Sequence, residues 1–385
     1  MVGAADGGAA ASMRAAVRRL SFGAAEEKRE AAGEVAALAR SDERRKRLLP
    51  ELGVVPPLVA MLADARGGEG GGARLAAAGA LMELARGTHR NKVHIVKAGL
   101  LKKLPELMDD KDLSRSQQLA QLLLSISSLA NTDFPLSTSE LLPFLVATLS
   151  AADVPADTKL PCLAALRNLS TKLEHVRDVV SSGAVRALVS LVPDRKTSEA
   201  ALSILGELAA SSAAGRKAVE EDETAPRAIL EAMTWHDSAR CQEHAAYLAM
   251  VLVAHGGSGE MRRRMRQLGV VQALLEVSLL GTPLAQRRAA KILQWFKEEG
   301  QSRIRAHSGP RMEGVSCHGD DVGGGGGSGG GGEQEVKDRR DTVGMIVRQS
   351  LDRNMKSILR RATASVDLTN VKLLVASSSS KSLPC

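Results

Sequence analysis

Aromatic side chains are scarce in this chain of 385 residues, which contains four Phe, two Trp and one Tyr. Sheet proteins usually fill their cores with aromatic and β-branched residues, so this shortage favours an all-α fold with a core of Ala, Leu and Val. Modules that bind nucleic acid by stacking bases on aromatic rings are also disfavoured. We therefore expect no nucleic acid among the partners.

Cysteine is scarce too, and long apolar runs are missing. The four cysteines lie far apart, with neither the spacing of metal ligands nor that of a disulfide framework. This predicts a reducing compartment, cytoplasmic or nuclear, and no metal. No run of 18 apolar residues occurs, so no transmembrane span is expected. Lys and Arg exceed Asp and Glu by only eight charges, which indicates a mild preference for acidic partners.

Catalytic signatures are missing as well. The glycine-rich stretches at 67–72 and 323–332 do not follow a strand and have no Lys-Ser/Thr sequel, so they are linkers rather than phosphate-binding loops. Cys241 and His244 would share a helix face, but no second pair of metal ligands accompanies them. We therefore expect neither enzymatic activity nor a cofactor.

What the sequence contains instead is an internal period. A glycine-led apolar block begins at Leu52, Ala98, Ser182 and Leu268, each time after a short Lys- or Arg-rich segment. A second segment of the form Ala-x-x-Ala-Leu-x-x-Leu follows each block, and its apolar spacing is helical. Aligning this last segment gives anchor positions about 43 residues apart, namely Ala37, Glu83, Ser128, Asn168, Glu207, Leu252 and Trp295. The period predicts units of three helices with the glycine in the turn between the first two.

This pattern resembles the armadillo repeat over residues 12–308, with the closest matches at Val179 to Asp194 and Thr158 to Ser170. The block order is similar to that of plant armadillo proteins, including the repeat half of plant U-box ubiquitin ligases. The resemblance implies a right-handed superhelix (an α-solenoid) of about six to seven three-helix repeats. Its third helices would line a concave groove that holds an extended segment of a protein partner.

Two functions known in this family are disfavoured by the residues. Nuclear-import receptors carry a Trp four residues before an Asn on successive third helices, whereas here only Asn168 keeps the Asn. The corresponding Trp positions hold Gly33, Gly79, Leu124, Ala164, Ser203, Leu248 and Lys291. A U-box needs an aromatic-rich core outside the repeats, and neither end of this sequence offers one.

Candidate groove residues follow from the register. Glu83, Ser128, Asn168 and Glu207 would offer polar groups to a partner, with Lys291 and Trp295 near the C-terminal end. Ordinary interpretations stay open for each, because an exposed Glu is usually solvated surface. Trp295 with Phe296 also fits a cap over the last repeat.

The two ends differ from the repeats. Residues 1–11 and the Ser-rich residues 364–385 are predicted to be disordered, and 309–342 is a Gly/Ser linker. Residues 343–363 predict a basic amphipathic helix whose apolar and basic positions include Ile346, Leu351, Met355, Ile358, Arg360 and Arg361. This helix would dock on a partner, on the chain's own groove or weakly on an anionic membrane, or have no function. Ser21 and Thr363 follow paired arginines and are candidate phosphorylation sites.

The sequence thus predicts a non-enzymatic scaffold that binds an extended protein segment in an armadillo groove. One alternative is a substrate-binding component of a ubiquitin-ligation pathway that acts with a separate ligase. A further alternative is an RNA-binding helical solenoid, against which the scarce aromatics and mixed groove charge argue.

Overall fold

The computed structural model of the chain describes residues 3–64, 71–108, 111–255 and 259–307. Regular structure in these ranges is helical throughout, and no strand occurs among them. None of the described helices combines the length and the apolar character that a membrane span requires. The repeats lie in a compact unit that ends at Phe296.

The helices recur in groups of three. The first helices of the units are α3 Glu43–Glu51, α6 His89–Lys97, α12 Leu173–Ser181, α15 Ala213–Glu221 and α18 Glu260–Gln267. The second helices are α4 Val55–Ala63, α7 Leu100–Met108, α10 Thr138–Ser150, α13 Ala184–Leu191, α16 Ala225–Met233 and α19 Val270–Leu280. The third helices are α5 Gly71–Ala85, α9 Gln117–Ser127, α11 Ala156–Ser170, α14 Ser198–Ser211, α17 Ala239–His255 and α20 Pro283–His307. Six units confirm the predicted all-α armadillo-type solenoid.

Three further helices complete the described chain. Two of them, α1 Gly3–Phe22 and α2 Ala25–Ser41, pack together before the first unit, and α2 stacks on α5 as a third helix would. The short α8 Lys111–Ser114 connects α7 to α9. The start of α1 at Gly3 differs from the predicted disorder of residues 1–11. Alanine, the best helix former, fills much of this segment and accounts for the difference.

Glycine makes the turn between first and second helices, as the sequence predicts. Gly53, Gly99, Gly183 and Gly269 all have φ between +83° and +90°, a left-handed conformation that costs glycine little. At Gly183 and Gly269 this residue directly precedes the second helix, so the chain reverses within one residue. The turn returns the apolar face of the second helix to the core.

The core is aliphatic, and it runs from Met13 to Phe296 as one cluster of buried side chains. Ala, Leu, Val and Ile supply most of it, and Phe144 is the largest fully buried side chain among the described residues. Small alanines let third helices of neighbouring units approach closely, and α2, α5, α9 and α11 pack successively on one another. The scarcity of aromatics therefore suits the fold.

The third unit departs from the predicted three helices. Where a first helix is expected, a 3₁₀ turn at Ser128–Asn131 is followed by an irregular segment up to Ser137. Only six residues separate this turn from α10, and Pro135 is among them. A nine-residue first helix, as in the neighbouring units, cannot form in that length.

The linker at 309–342, the predicted helix at 343–363 and the C-terminal segment 364–385 lie outside the described residues. The same holds for Thr363. Ser21 is described and lies exposed in the last turn of α1, where its hydroxyl donates to the carbonyl of Val17 at 3.0 Å.

Candidate partner-binding face

Third helices of neighbouring units pack side by side and form one surface, here called the third-helix face. It consists of the exposed and half-exposed side chains of α2, α5, α9, α11, α14 and α17, and of α20 up to Phe296. All six residues predicted to line the groove, Glu83, Ser128, Asn168, Glu207, Lys291 and Trp295, belong to these helices or to the turn that follows α9.

Glu83 lies beneath two arginines at the N-terminal part of this face. Its carboxylate is 3.2 Å from Nη2 of Arg40, which comes from α2, and 3.8 Å from Nη1 of Arg86. The Glu83 side chain is only 6% exposed, whereas those of Arg40 and Arg86 are 67% and 63% exposed. Glu83 therefore does not face a partner directly. It holds two guanidinium groups at the surface.

Uncharged third-helix side chains occupy the middle of the face, where they are joined by one cation, Lys92 of the first helix α6. Nζ of Lys92 donates to Oγ of Ser128 at 2.8 Å, and Ser128 donates to the carbonyl of Ser125. Burial lowers the pKa of the Lys92 ammonium group. Nδ2 of Asn168 donates to Oγ of Ser127 at 3.0 Å. Both predicted residues thus link one unit to the next.

Charged pairs return in the second half of the face. Glu207 accepts from Nη2 of Arg167 at 2.8 Å, across the α11–α14 interface. Arg240 of α17 donates to Glu199 of α14 at 3.2 Å, so the next interface carries a similar pair. As at Glu83, each arginine is more exposed than its glutamate.

Aromatic rings lie at the C-terminal end of the face. Nζ of Lys291 is 5.5 Å from the centre of the Trp295 ring, and the guanidinium carbon of Arg288 is 4.9 Å from the centre of the Tyr247 ring. Lys291 is exposed and Trp295 is half-buried, while the neighbouring Phe296 is buried. Burial lowers the pKa of the Arg288 guanidinium group.

The predicted register is off by one residue in α17. Leu248 and Leu252, which the sequence places on the face, are fully buried, and the half-exposed side chain is Tyr247. From Ala245 to Val253 this helix is almost continuously apolar, so its pattern does not fix which positions face inward.

Sequence reasoning missed the arginines. Arg40, Arg167 and Arg240 each pair with a glutamate of an adjacent third helix, 40 to 43 residues away. A signal was available, since opposite charges separated by one repeat length face each other in a solenoid. Each guanidinium group carries five N–H donors, of which a glutamate uses two at most, so these arginines keep donors for another acceptor.

Few candidate sites for metals, reactive thiols or small ligands occur in the described part of the chain. No group of three or more His, Cys, Asp and Glu side chains there could hold a metal ion. Cys162 and Cys241 are free and buried. A shallow cleft of about 420 Å³ lies where the third unit lacks its first helix, lined by Phe134, Leu136 and His175 with their neighbours.

Sequence comparison finds plant relatives. The chain is 26% identical over 267 residues to U-box domain-containing protein 45 of Arabidopsis thaliana, covering 69% of this chain and 34% of that protein. It is 28% identical over 177 residues to U-box domain-containing protein 7 of the same plant, covering 45% of this chain and 22% of that protein. The chain thus spans about a third, or less, of the length of these relatives. No family model matches it.

Structure comparison finds engineered proteins, among them designed armadillo repeat proteins. The crystal structure of an engineered protein matches with a TM-score of 0.50 and 25% identity, covering 61% of this chain and 96% of that one. Computationally designed armadillo repeat proteins for modular peptide recognition match with a TM-score of 0.40 and 19% identity, covering 74% of this chain and 99% of theirs.

Proposed function

We propose that this armadillo-type solenoid is a non-enzymatic scaffold whose third-helix face binds an extended segment of a protein partner. The observation that carries the proposal is the set of exposed arginines, each paired with a less exposed glutamate of an adjacent helix. Anchored in this way, a guanidinium group loses little side-chain freedom when its remaining donors bind a second acceptor.

An extended chain supplies suitable acceptors at regular intervals. Its backbone carbonyls are unpaired, and acidic side chains add charge-assisted bonds to the arginines. The middle of the face, with Leu124 and Ala164 half-exposed and Ser128 and Asn168 beside them, offers apolar contact and neutral hydrogen bonds. This alternation of charged and neutral positions suits a protein segment better than RNA, which carries a phosphate at every nucleotide.

A site-specific photocrosslinking experiment tests the face. A photoreactive phenylalanine analogue replaces Ala164 in α11, or Arg186 in α13 as the matched control, since Arg186 is exposed on a second helix. In plant cell extract we expect Ala164 to crosslink a partner peptide that mass spectrometry can identify, and Arg186 not to crosslink it. Equal crosslinking from both positions, or crosslinking from Arg186 alone, would contradict a role for the third-helix face.

The absence of catalysis has its own test. The purified full chain is incubated with ubiquitin, ATP, an activating enzyme and a panel of conjugating enzymes. We expect no ubiquitin chains above the level seen without the protein, and chain formation that depends on it would show an intrinsic ligase.

A second candidate function rests on the similarity to two Arabidopsis proteins named for a U-box domain. In this function the third-helix face selects substrates, and a separate ligase transfers ubiquitin. A photocrosslinked partner of Ala164 that becomes ubiquitinated in extract, and loses the modification when this chain is depleted, would favour it over a scaffold unconnected with ubiquitin.

A further inference from the structure

The last described unit exposes an apolar side chain at a position that other units bury. In the glycine-led blocks, Val55, Leu101, Val185 and Val271 occupy equivalent positions. The first three are 2%, 2% and 4% exposed, whereas Val271 is 40% exposed. In most inner units the second helix of the following unit packs on this helix, as α7 packs on α4, whereas α13 is packed on by α15, the next first helix. Among the described residues, no later second helix covers α19.

The exposed residues are contiguous. Val271, Leu275 and Leu279 follow one another at four-residue spacing and form a stripe along α19, and Leu279 is 62% exposed. Leu268 precedes this stripe, and Leu280 and Leu284 follow it at the connection to α20. Together these six residues are called the end face. It contains five of the nine exposed large hydrophobic side chains in the described part of the chain.

An apolar end is unusual for a solenoid, because terminal units normally turn a polar surface to water. The six Leu and Val side chains are close in sequence, and an exposed apolar patch commonly marks an interaction site on soluble proteins. The stripe lies on a second helix, whereas the third-helix face is formed by third helices, and only Leu284 of α20 belongs to both surfaces. The stripe therefore needs a binding partner of its own.

Charge indicates what that occupant is. Residues 259–296 contain seven Lys and Arg but only two acidic residues. Glu260 is bonded to Arg263 and Arg264, and the buried Glu276 is bonded to His236 at 2.8 Å. Arg263 and Arg287 are exposed in α18 and α20, the helices that precede and follow α19 in the chain. The end face is thus apolar with positive surroundings.

We propose that the end face docks an amphipathic helix of a partner protein whose apolar stripe is flanked by Asp and Glu. A partner helix presents side chains at the same three- and four-residue spacing as the stripe on α19, so the two rows interdigitate. Acidic flanks then meet Arg263 and Arg287. A second copy of the end face is a less suitable occupant, because it would bring positive charge against positive charge. The basic sequence at 343–361 is less suitable for the same reason.

Fluorescence anisotropy with two designed peptides tests the proposal on the full chain. Both are helix-forming peptides of about five turns, roughly 18 residues, with the same leucine stripe, flanked by Glu in one and by Lys in the other. The Glu-flanked peptide is expected to bind at least about tenfold more tightly than the Lys-flanked one.

Substitution of the stripe provides the structural control. In the double variant Val271→Gln with Leu279→Gln, the Glu-flanked peptide should bind at least about tenfold more weakly than to the wild type. The matched variant Leu173→Gln, which alters a side chain 73% exposed in α12, should bind it like the wild type. Unchanged far-UV circular dichroism and melting temperature establish that the double variant is folded, as expected for exposed positions.

Four results would overturn the proposal. The first is equal binding of the two peptides, and the second is equal binding by the wild type and the double variant. The third is sedimentation of the wild type as a dimer that the double variant loses, which would assign the face to a second copy. The fourth is binding that emerges only after residues 343–361 are deleted, which would assign the face to this chain's own sequence.

Discussion

Asn91 makes the stability of one unit depend on a proline in the unit before it. Its side chain is fully buried in α6, and Nδ2 donates to the carbonyls of Lys46 at 3.0 Å and of Leu84 at 2.9 Å. In α3 the residue four positions after Lys46 is Pro50, which has no N–H to donate. The N–H of Thr88, four positions after Leu84, bonds to Ala85 instead. Both carbonyls therefore rely on Asn91.

Replacing Asn91 by Leu keeps the approximate volume and removes both hydrogen bonds. Leaving a buried carbonyl unpaired costs about 1–3 kcal/mol, and two are left. Oδ1 of Asn91 is itself buried without a partner. Removing this oxygen stabilises the folded protein by about as much as one unpaired carbonyl destabilises it. The expected loss of unfolding free energy is roughly 2 kcal/mol.

A double-mutant cycle with Pro50→Ala isolates the mechanism. Alanine at position 50 supplies an N–H to the Lys46 carbonyl within α3, so Asn91→Leu then leaves only the Leu84 carbonyl unpaired. The cost of Asn91→Leu should fall by about 1 kcal/mol in this background. Urea unfolding followed by far-UV circular dichroism measures all four proteins, with Asn131→Leu, an exposed asparagine of the third unit, as the control. An identical cost with Pro50 and with alanine at position 50 would refute the reasoning.

Three further predictions concern individual residues, and the first compares two glycines. Gly183→Ala should cost about 1 kcal/mol, from left-handed strain alone, because a Cβ there meets nothing within 4 Å. Gly215→Ala should cost clearly more in the same urea assay, because its Cβ would overlap a backbone carbonyl of α14; equal costs would contradict this. Burial raises the pKa of the Cys162 thiol to about 12. Because the folded protein holds this proton more tightly than the unfolded chain does, the free energy of unfolding is unaffected below about pH 9 and decreases as the pH rises towards 12. The thiol should therefore resist iodoacetamide at pH 8 until urea is added, and equal labelling of the native protein would oppose this. The guanidinium carbon of Arg195 lies 3.9 Å from the centre of the Trp235 ring, so Arg195→Ala should shift tryptophan emission to longer wavelength and cost about 0.5–1 kcal/mol; unchanged emission would exclude the stacking.

Most of the fold could be predicted from the sequence, because each unit is specified by local sequence patterns and these patterns recur in six units. The turn before a second helix is left-handed wherever this glycine occurs, and a left-handed turn favours glycine. Gly53 and Gly183 therefore mark the same point of their units. The short basic segments become first helices, as α6 and α18 show. The missing first helix of the third unit was not predicted, although Pro135 and the short connection contain its cause.

The candidate face was harder to predict, because it depends on contacts between units. Glu83 has the position of a groove residue, but Arg40, 43 residues earlier, covers it. In α17 the apolar residues outnumber the core positions, so the one-residue shift between Leu248 and Tyr247 could only be decided by packing. Likewise, the residues near Asn91 explain its buried amide only in part, since one of its two acceptors is Lys46 of the preceding unit, where Pro50 lacks the N–H.

The two proposed surfaces follow from a single property of a solenoid, namely that each unit is completed by its neighbours. On the third-helix face this completion is polar: an arginine of one unit is anchored by a glutamate of the next, as Arg167 is by Glu207. Along the second helices it is apolar, since α7 covers α4 and α13 packs on α10. Where the described units stop, the apolar contribution is lacking, and Val271 is exposed. A partner helix on α19 would therefore supply the surface that each inner unit receives from the next, and bury an apolar face at the same time.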